Sequence, residues 1–402
     1  MKILTLPNCG GGVSYYRHHL PMLALREAGH EVIANHECVD TWSAHLGKYP
    51  HGHEGWLRDR LDESVDLIHA GWSNSLPMLE LLVAAREKYK VPVIIDYDDD
   101  VLSVDASNLN YRHYHGGAFS RRVARLGARV ADSVTVSTGP LAKALAKDSR
   151  HVDMLPNYTH PPHWQSHPID PERANDKSVR IMFAGGPSHA ADIDQPHVRE
   201  ALEWAIAHYD GKDGRPHVKV IFLACMPKWA SKFIQDCHDA TANRCFFIQA
   251  TGDDVHLWHK VIKWVSPNVL LAPLEHTPFN ASKSLCKAYD AAMVEGCAFV
   301  CEAWPAYDEV LSTACIRVDS SSNDYNVGWK SALKVAIETP DMRRFLSDEL
   351  HQWTLDKRTI TAHIKQWESA YEQAAERPLV RQLSDVVRPP HLYGPDGQLL
   401  MD

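Results

Sequence analysis

The chain has 402 residues, of which 45% are hydrophobic and 23% charged, with a net charge of −9. That length exceeds what one hydrophobic core organises, so two domains are expected, and the composition excludes disorder over most of the chain. The acidic balance argues against an obligate nucleic-acid binder, and no run approaches the roughly 20 apolar residues of a membrane-spanning helix.

The opening Met1–Pro7 is too short and too soon polar for a secretory leader and reads as a first buried strand. Cys9, Cys38, Cys225, Cys237, Cys245, Cys286, Cys297, Cys301 and Cys315 form no Cys-x-x-Cys pair. Most stand in apolar segments as small hydrophobes, and a cytoplasmic location is expected. Short β-rich runs then alternate with helical patterns, the rhythm of parallel βαβ units. Strands are expected at Lys2–Leu6, Glu31–Ala34, Leu67–Ala70, Val91–Asp96, Ser133–Ser137 and His151–Leu155. Helices are expected at Tyr15–Ala28, closed by Gly29, and at Arg121–Ala131 and Pro140–Lys147. The proline-rich run 161–175 predicts an irregular linker after a first domain of residues 1–160. The rhythm restarts over 176–355, with strands expected at Val179–Ala184, Val218–Ala224, Cys245–Gln249, Val269–Ala272, Ala298–Cys301 and Cys315–Val318. A helix within 356–376 carries the apolar stripe Ile364, Trp367 and Tyr371 and is expected to dock back on the first domain. The tail 377–402 reads as irregular.

Four segments can carry chemistry. The turn Gly10-Gly11-Gly12 after the first strand lets a ligand approach the backbone ahead of a helix N-terminus. It lacks both Gly-x-Gly-x-x-Gly spacing and a Walker lysine, and it reads equally as a tight strand-to-helix turn. Arg17, one turn on, is placed to support a phosphate or an acceptor. Asp96-Tyr97-Asp98-Asp99-Asp100 follows a buried strand at the end that faces the crevice of a doubly wound sheet. Such carboxylates repel unless they meet cations, hydroxyls or a metal; an Asp-rich cap is the plain alternative. Gly185-Gly186-Pro187-Ser188-His189 repeats the glycine turn in the second half, with His189 set to contact phosphate or to cap. Last comes Phe279-Asn280-Ala281-Ser282-Lys283-Ser284, with Lys287, Asp290 and Gly296 beyond. Ser282 as a cap would aim free N–H groups at a diphosphate, Lys283 would add charge, and Asp290 would hold the ribose. His51-x-His53 and His113-x-His115 lack a third ligand at fixed spacing and read as solvated, so no metal site is assigned.

The last segment resembles the nucleotide-binding stretch of the large retaining GT-B glycosyltransferase superfamily. Collinear with it are Ala131–Ser137 and Leu155-Pro156-Asn157, and Gly185-x-Pro187-Ser188-His189-x-x-Asp192 resembles a bacterial and phage subgroup, as do Gly12-x-x-Tyr15-Tyr16-Arg17 and Asp96-x-Asp98-Asp99. The resemblance implies an α/β fold of two facing Rossmann-like, doubly wound domains with an interdomain cleft. It implies transfer of a sugar from a nucleoside-diphosphate sugar, the co-substrate, to an acceptor hydroxyl, with retention and without a required divalent metal. Asp98, Asp99 and Lys283 are the expected catalytic residues. Gly11, Gly12, Gly185, Gly186, Ser188, His189, Asn280, Ser282, Ser284 and Asp290 are expected at the donor, and Tyr15, Tyr16, Arg17, Arg121 and Arg122 at the acceptor. Hydroxymethylated pyrimidine in phage DNA is one acceptor it raises, bound through Arg121, Arg122 and Arg125, beside polysaccharide and small molecules. The chain departs from the superfamily in three ways. Ser282 and Asp290 replace paired glutamates, one extra residue separates Asp290 from Gly296, and the basic pair after the second domain's first strand is missing, with His189 in its place. A sugar-nucleotide epimerase or hydrolase, and an inactive nucleotide-sugar-binding protein, remain alternatives.

Overall fold

The computed structural model describes residues 1–8, 11–34, 61, 64–74, 76–165, 167, 176–212, 214, 216–232, 244–249, 255–321 and 328–377. Cys9, Gly10, Cys38, Cys237, His51, His53, residues 168–175 of the linker and the tail 378–402 lie outside these. Twelve strands are present among the described residues: β1 (Lys2–Leu6), β2 (Glu31–Ala34), β3 (Leu67–Gly71), β4 (Val93–Tyr97), β5 (Ser133–Val136), β6 (Val152–Met154), β7 (Val179–Ala184), β8 (Val218–Leu223), β9 (Cys245–Ile248), β10 (Val269–Ala272), β11 (Ala298–Glu302) and β12 (Ile316–Val318). They form two six-stranded sheets, ordered β2-β1-β3-β4-β5-β6 and β12-β11-β10-β7-β8-β9, parallel throughout. The central strands β3, β4, β7, β10 and β11 are buried along their whole length and are rich in apolar residues, as helices on both faces require, with His69, Asp96, Arg180 and Glu302 as the polar residues buried among them. The protein is thus an α/β chain of two facing Rossmann-like lobes.

In such sheets ligands gather beyond the carboxyl ends of the strands, where the strand order reverses. In the first lobe that point lies between β1 and β3, and in the second between β7 and β10. Close backbone approach at the first point fixes Gly71. A Cβ there would stand 2.8 Å from the amide N of Asn8 and 2.9 Å from its Cβ. Gly71→Ala is therefore expected to destabilise the fold by about 1–3 kcal/mol, the range for overpacking, read as a lowered urea midpoint at unchanged slope.

Between β1 and β2 the helical segment starts earlier than its periodicity suggests. It runs as Gly11–Ser14, a π-helical turn Tyr15–His19, and Leu20–Glu27. The π turn buries four consecutive side chains, Tyr15 to His18. A segment enclosed by the sheet and by other helices meets protein on every side, so a period-3.6 apolar stripe is not expected of it. Gly29, at φ +96°, ends the helix, with the His30 amide donating to the Leu25 carbonyl at 3.0 Å.

The linker corrects one expectation. Pro161–Gln165 is a short helix, because prolines in a first turn remove no needed N–H group; Trp164 is buried beneath it. The chain returns through the helices Pro340–Lys357 and Ile360–Glu376. The second packs on Leu20–Glu27 with Trp367 and Tyr371 fully buried, in a core cluster that includes Ile3 and Ile94 of one lobe and Met182 and Tyr289 of the other.

Candidate active site between the lobes

The N-lobe face of the cleft is set by β4. Asp96, its penultimate residue, is buried and gripped by Arg17, whose Nε and Nη2 donate to the two carboxylate oxygens at 2.9 and 2.6 Å; Thr135 Oγ1 donates at 2.6 Å. Burial alone would raise this carboxyl, but the guanidinium holds it well below the ordinary carboxylate range. Arg17 also donates to the Leu155 carbonyl and, at 3.0 Å, to Asn157 Oδ1, and its guanidinium lies 5.1 Å from the Trp367 ring centroid. Arg17 is 0% exposed. Expected at the acceptor, Arg17 is instead enclosed and paired within the protein and offers no exposed face.

Asp98 and Asp99 follow at the lip. Burial, then the neighbouring Asp99, push the Asp98 carboxyl up to about 6. Asn157 Nδ2 donates to Asp98 Oδ1 and to Ser284 Oγ of the C-lobe, both at 3.0 Å, and the Tyr289 hydroxyl donates to the Asn157 carbonyl at 2.7 Å. Asn157 thus joins the Arg17–Asp96 pair to the opposite lobe. Its place at the end of the Leu155-Pro156-Asn157 run was the one signal for it in the sequence.

Across the cleft, Lys283 Nζ lies 3.3 Å from Asp99 Oδ1 and 4.4 Å from the Phe279 ring centroid. Beside it the Gly185–Gly186 turn leads to His189, whose Nδ1 lies 2.8 Å from Asp192 Oδ2. Burial, then Lys287 and Lys283, bring His189 down to about 4. Asp290 is buried and takes a 3.2 Å hydrogen bond from Trp258 Nε1; burial pushes its carboxyl up to about 7. A small pocket runs alongside, lined by Ser137, Thr138, Asn157, Lys283, Ser284 and Arg358 among others. Asn108 Nδ2 reaches the Ser188 carbonyl at 3.5 Å and Ser107 Oγ donates to Glu275 Oε2 at 2.5 Å, so the loop after β4 crosses onto the C-lobe.

Other expected site residues fall elsewhere. The helix expected to start at Ser282 starts at Cys286; Ser282 instead ends the short helix Pro278–Ala281, with its Oγ on the Pro278 carbonyl at 3.3 Å. Its amide bonds the Phe279 carbonyl and that of Lys283 the Asn280 carbonyl, so neither is a free donor for phosphate. Asn280 donates through Nδ2 to Asp192 Oδ1 at 2.7 Å and to the Glu275 carbonyl at 3.0 Å, making it a brace for the loop. Tyr15 and Tyr16 are buried between the lobes, the first hydrogen-bonded to His163 Nδ1 at 2.8 Å and the second packed on Tyr289, so neither offers a face to an acceptor. Gly11, buried at φ +75°, and Gly12, exposed, open the helix after β1. Arg125 and Arg129 turn toward Asp148, at 3.8 and 2.6 Å, while Arg121 of the same helix faces Asp100 of the aspartate turn. Among the described residues no group of three His, Cys, Asp or Glu can hold a metal ion.

No family model and no curated protein matches the chain. Among solved structures it is similar to sucrose-phosphate synthase from Thermosynechococcus elongatus, with a TM-score of 0.61 and 16% identity over 93% of this chain and 98% of that one. It is similar to Anabaena HepE in complex with UDP and glucose, with a TM-score of 0.59 and 13% identity over 93% of this chain and 100% of that one. A third is the E. coli trehalose-6-phosphate structure bound with UDP-2-fluoro glucose, with a TM-score of 0.59 and 12% identity over 94% and 100%. At these identities the likeness is one of fold, the GT-B arrangement of two facing Rossmann-like lobes.

The raised carboxyls have a consequence for stability. The folded chain keeps a proton on Asp290 up to about pH 7, whereas the unfolded chain releases it near pH 4. Stability therefore falls as pH rises through that window, and Asp98 adds a loss of the same sign up to about 6. Asp290→Asn is expected to flatten the decline. Urea midpoints compared at about pH 5, 6 and 7.5 check this; parallel curves for variant and wild type would remove the assignment.

Proposed function

We propose that the protein is a glycosyltransferase that moves a sugar from a nucleoside-diphosphate sugar to an acceptor hydroxyl across the interlobe cleft. The observation that carries this is one juxtaposition: Lys283, Lys287 and His189 gather around the Gly185–Gly186 turn at the C-lobe switch point, directly opposite Asp98 and Asp99. Residues 176–355 take the donor and residues 1–160 the acceptor. Lys283 leaves Asp99 to meet the diphosphate. As the glycosidic bond breaks, the sugar becomes oxocarbenium-like and the leaving diphosphate gains negative charge, so Lys283 binds the transition state more tightly than the ground state. Asp98, with its carboxyl near 6, is poised to orient the acceptor hydroxyl or hold its proton. Asp290 serves the ribose. Retention follows the superfamily resemblance, and a divalent metal is not required.

The acceptor is read from the N-lobe surface, where Arg121 faces the aspartate turn and Arg122 follows it on the same helix. Hydroxymethylated DNA remains the macromolecular candidate, on a basic face thinned by the pairing of Arg125 and Arg129 with Asp148. A panel of nucleotide-sugars, read by mass spectrometry for nucleotide release and product with and without such DNA, tests the reading. A glycosylated product supports it. Donor consumption without an acceptor turns it into an epimerase or hydrolase, and binding without turnover into an inactive nucleotide-sugar binder. A DNA acceptor further requires binding that weakens steeply with salt. A cytoplasmic setting is proposed from the cysteines, among which Cys225, Cys286, Cys297, Cys301 and Cys315 are free thiols.

A further inference from the structure

Between Asp105 and Asp132 the chain carries no Asp or Glu but five arginines, Arg112, Arg121, Arg122, Arg125 and Arg129, in a protein of net charge −9. The run borders the mouth of the cleft. It starts at the loop that crosses onto the C-lobe and ends in the helix Phe119–Val130. The carboxylates beside it are engaged within the protein, Asp100 by the Leu102 amide at 3.1 Å and Asp105 by the Ser107 amide at 2.9 Å. Asp148 takes Arg125 and Arg129. Among the described residues no salt bridge holds Arg112, Arg121 or Arg122, and Arg122 Nε is buried without a hydrogen-bond partner.

Large apolar side chains are displayed beside these cations. Leu109, Tyr111 and Phe119 are 54%, 39% and 36% exposed, and the short helix Tyr111–Tyr114 buries none of its residues. Tyr114 seats that helix on the lobe, its ring meeting Trp72 edge-on at 5.7 Å, while Tyr111 lies 6.1 Å from the His115 ring. Exposed rings clustered with unpaired arginines mark an interaction surface. The side-chain chemistry selects the partner. Every fixed cation of the run is an arginine, whose planar fork takes a phosphate through two hydrogen bonds, and the exposed rings offer faces on which unpaired bases stack. A lipid surface asks instead for a free apolar helix face; that of Phe119–Val130 is turned into the lobe, with Val123, Leu126 and Val130 buried.

We propose that residues 109–122 form the surface that holds the acceptor, a polynucleotide strand whose bases are unpaired where it passes the cleft mouth. Its phosphates meet Arg112, Arg121 and Arg122, and its bases stack on Tyr111 and Phe119. A hydroxyl carried on a base reaches a cleft between two lobes only when that base has left its duplex, and a stacking surface at the mouth offsets the cost of leaving. This rests on the glycosyl-transfer reading of the adjoining cleft and names the acceptor that the reading leaves open.

Fluorescence anisotropy of the full chain tests it, with a labelled single-stranded oligodeoxynucleotide of about 12 nucleotides and the same sequence as a duplex. Wild type is expected to bind the single strand about tenfold or more tightly than the duplex. Its affinity should fall with salt at a log–log slope of about −2, the value for three phosphate contacts on a single strand. Tyr111→Ala should weaken binding roughly 5- to 100-fold, the loss of one stacked base, and Tyr111→Phe should keep most of the affinity. Arg112→Ala should make the salt slope shallower by about 0.7. Tyr111 and Arg112 both stand exposed, so these variants should melt with the wild type, and a shared loss of stability does not imitate the result. Equal affinity in wild type and Tyr111→Ala, or a salt-independent affinity, overturns the assignment. So does binding to anionic phosphatidylglycerol vesicles with none to the oligonucleotide. A chain that glycosylates a small or polysaccharide acceptor yet binds no strand overturns this inference alone. A chain that binds the strand through Tyr111 but turns over no nucleotide-sugar supports the surface and removes the transfer reading instead.

Discussion

Lys283→Ala is expected to lower kcat by two to three orders of magnitude, the effect of removing one charged partner of a developing oxyanion. Two features make this change large. Lys283 is the cation that reaches across the cleft, 3.3 Å from Asp99 Oδ1, and it is nine-tenths buried, so water does not replace it. Its removal also frees Asp99 to repel both the diphosphate and Asp98. Lys283→Arg keeps the charge on a longer, planar group and should recover only part of the rate. Initial rates of nucleotide release, with the donor in excess, decide the matter; an alanine variant at wild-type rate would falsify the catalytic assignment.

Much of this was legible in the sequence. The strands are readable because parallel strands buried on both faces are rich in apolar residues, as Leu270–Leu271 and Ala298–Val300 show, even where a polar residue such as His69, Asp96 or Arg180 interrupts the run. The glycine turns and the aspartate run were visible for the same reason: they stand at strand ends, where the fold itself directs ligands. What was not legible was how each polar side chain is used. Arg17 reads as an available cation in sequence, and only the juxtaposition of β4, β6 and the C-terminal helix encloses it between Asp96 and Trp367. Ser282 reads as a helix cap because serine favours N-caps, yet Thr277 caps the preceding helix by accepting from the Asn280 amide and shifts the next start to Cys286. Asn157 and Lys287 stand in the motifs, but their surroundings are not legible there because each meets residues 100 or more positions away along the chain.

Arg17→Met is expected to cost about 3–5 kcal/mol of stability, the range for breaking a buried ion pair by removing one partner. The loss has several parts. Asp96 loses a two-pronged hydrogen bond, and the Leu155 carbonyl and Asn157 Oδ1 lose their donor in a region closed to water. The pH dependence distinguishes this from simple loss of packing. Arg17 holds Asp96 below its unfolded value, so the pair stabilises the wild type above about pH 4, and that stabilisation is lost as pH falls through the acid range. Without the guanidinium, burial raises Asp96, and the variant should lose stability with rising pH instead. The deficit of the variant relative to wild type, read from urea midpoints at about pH 3, 5 and 7, should therefore widen as pH rises. A second step follows from Asn157, which joins this pair to Ser284 and Tyr289: the variant should also loosen the two lobes, raising the donor's KM more than it lowers kcat. A variant as stable as wild type that had lost only acceptor binding would return Arg17 to the substrate and remove it from the floor of the cleft.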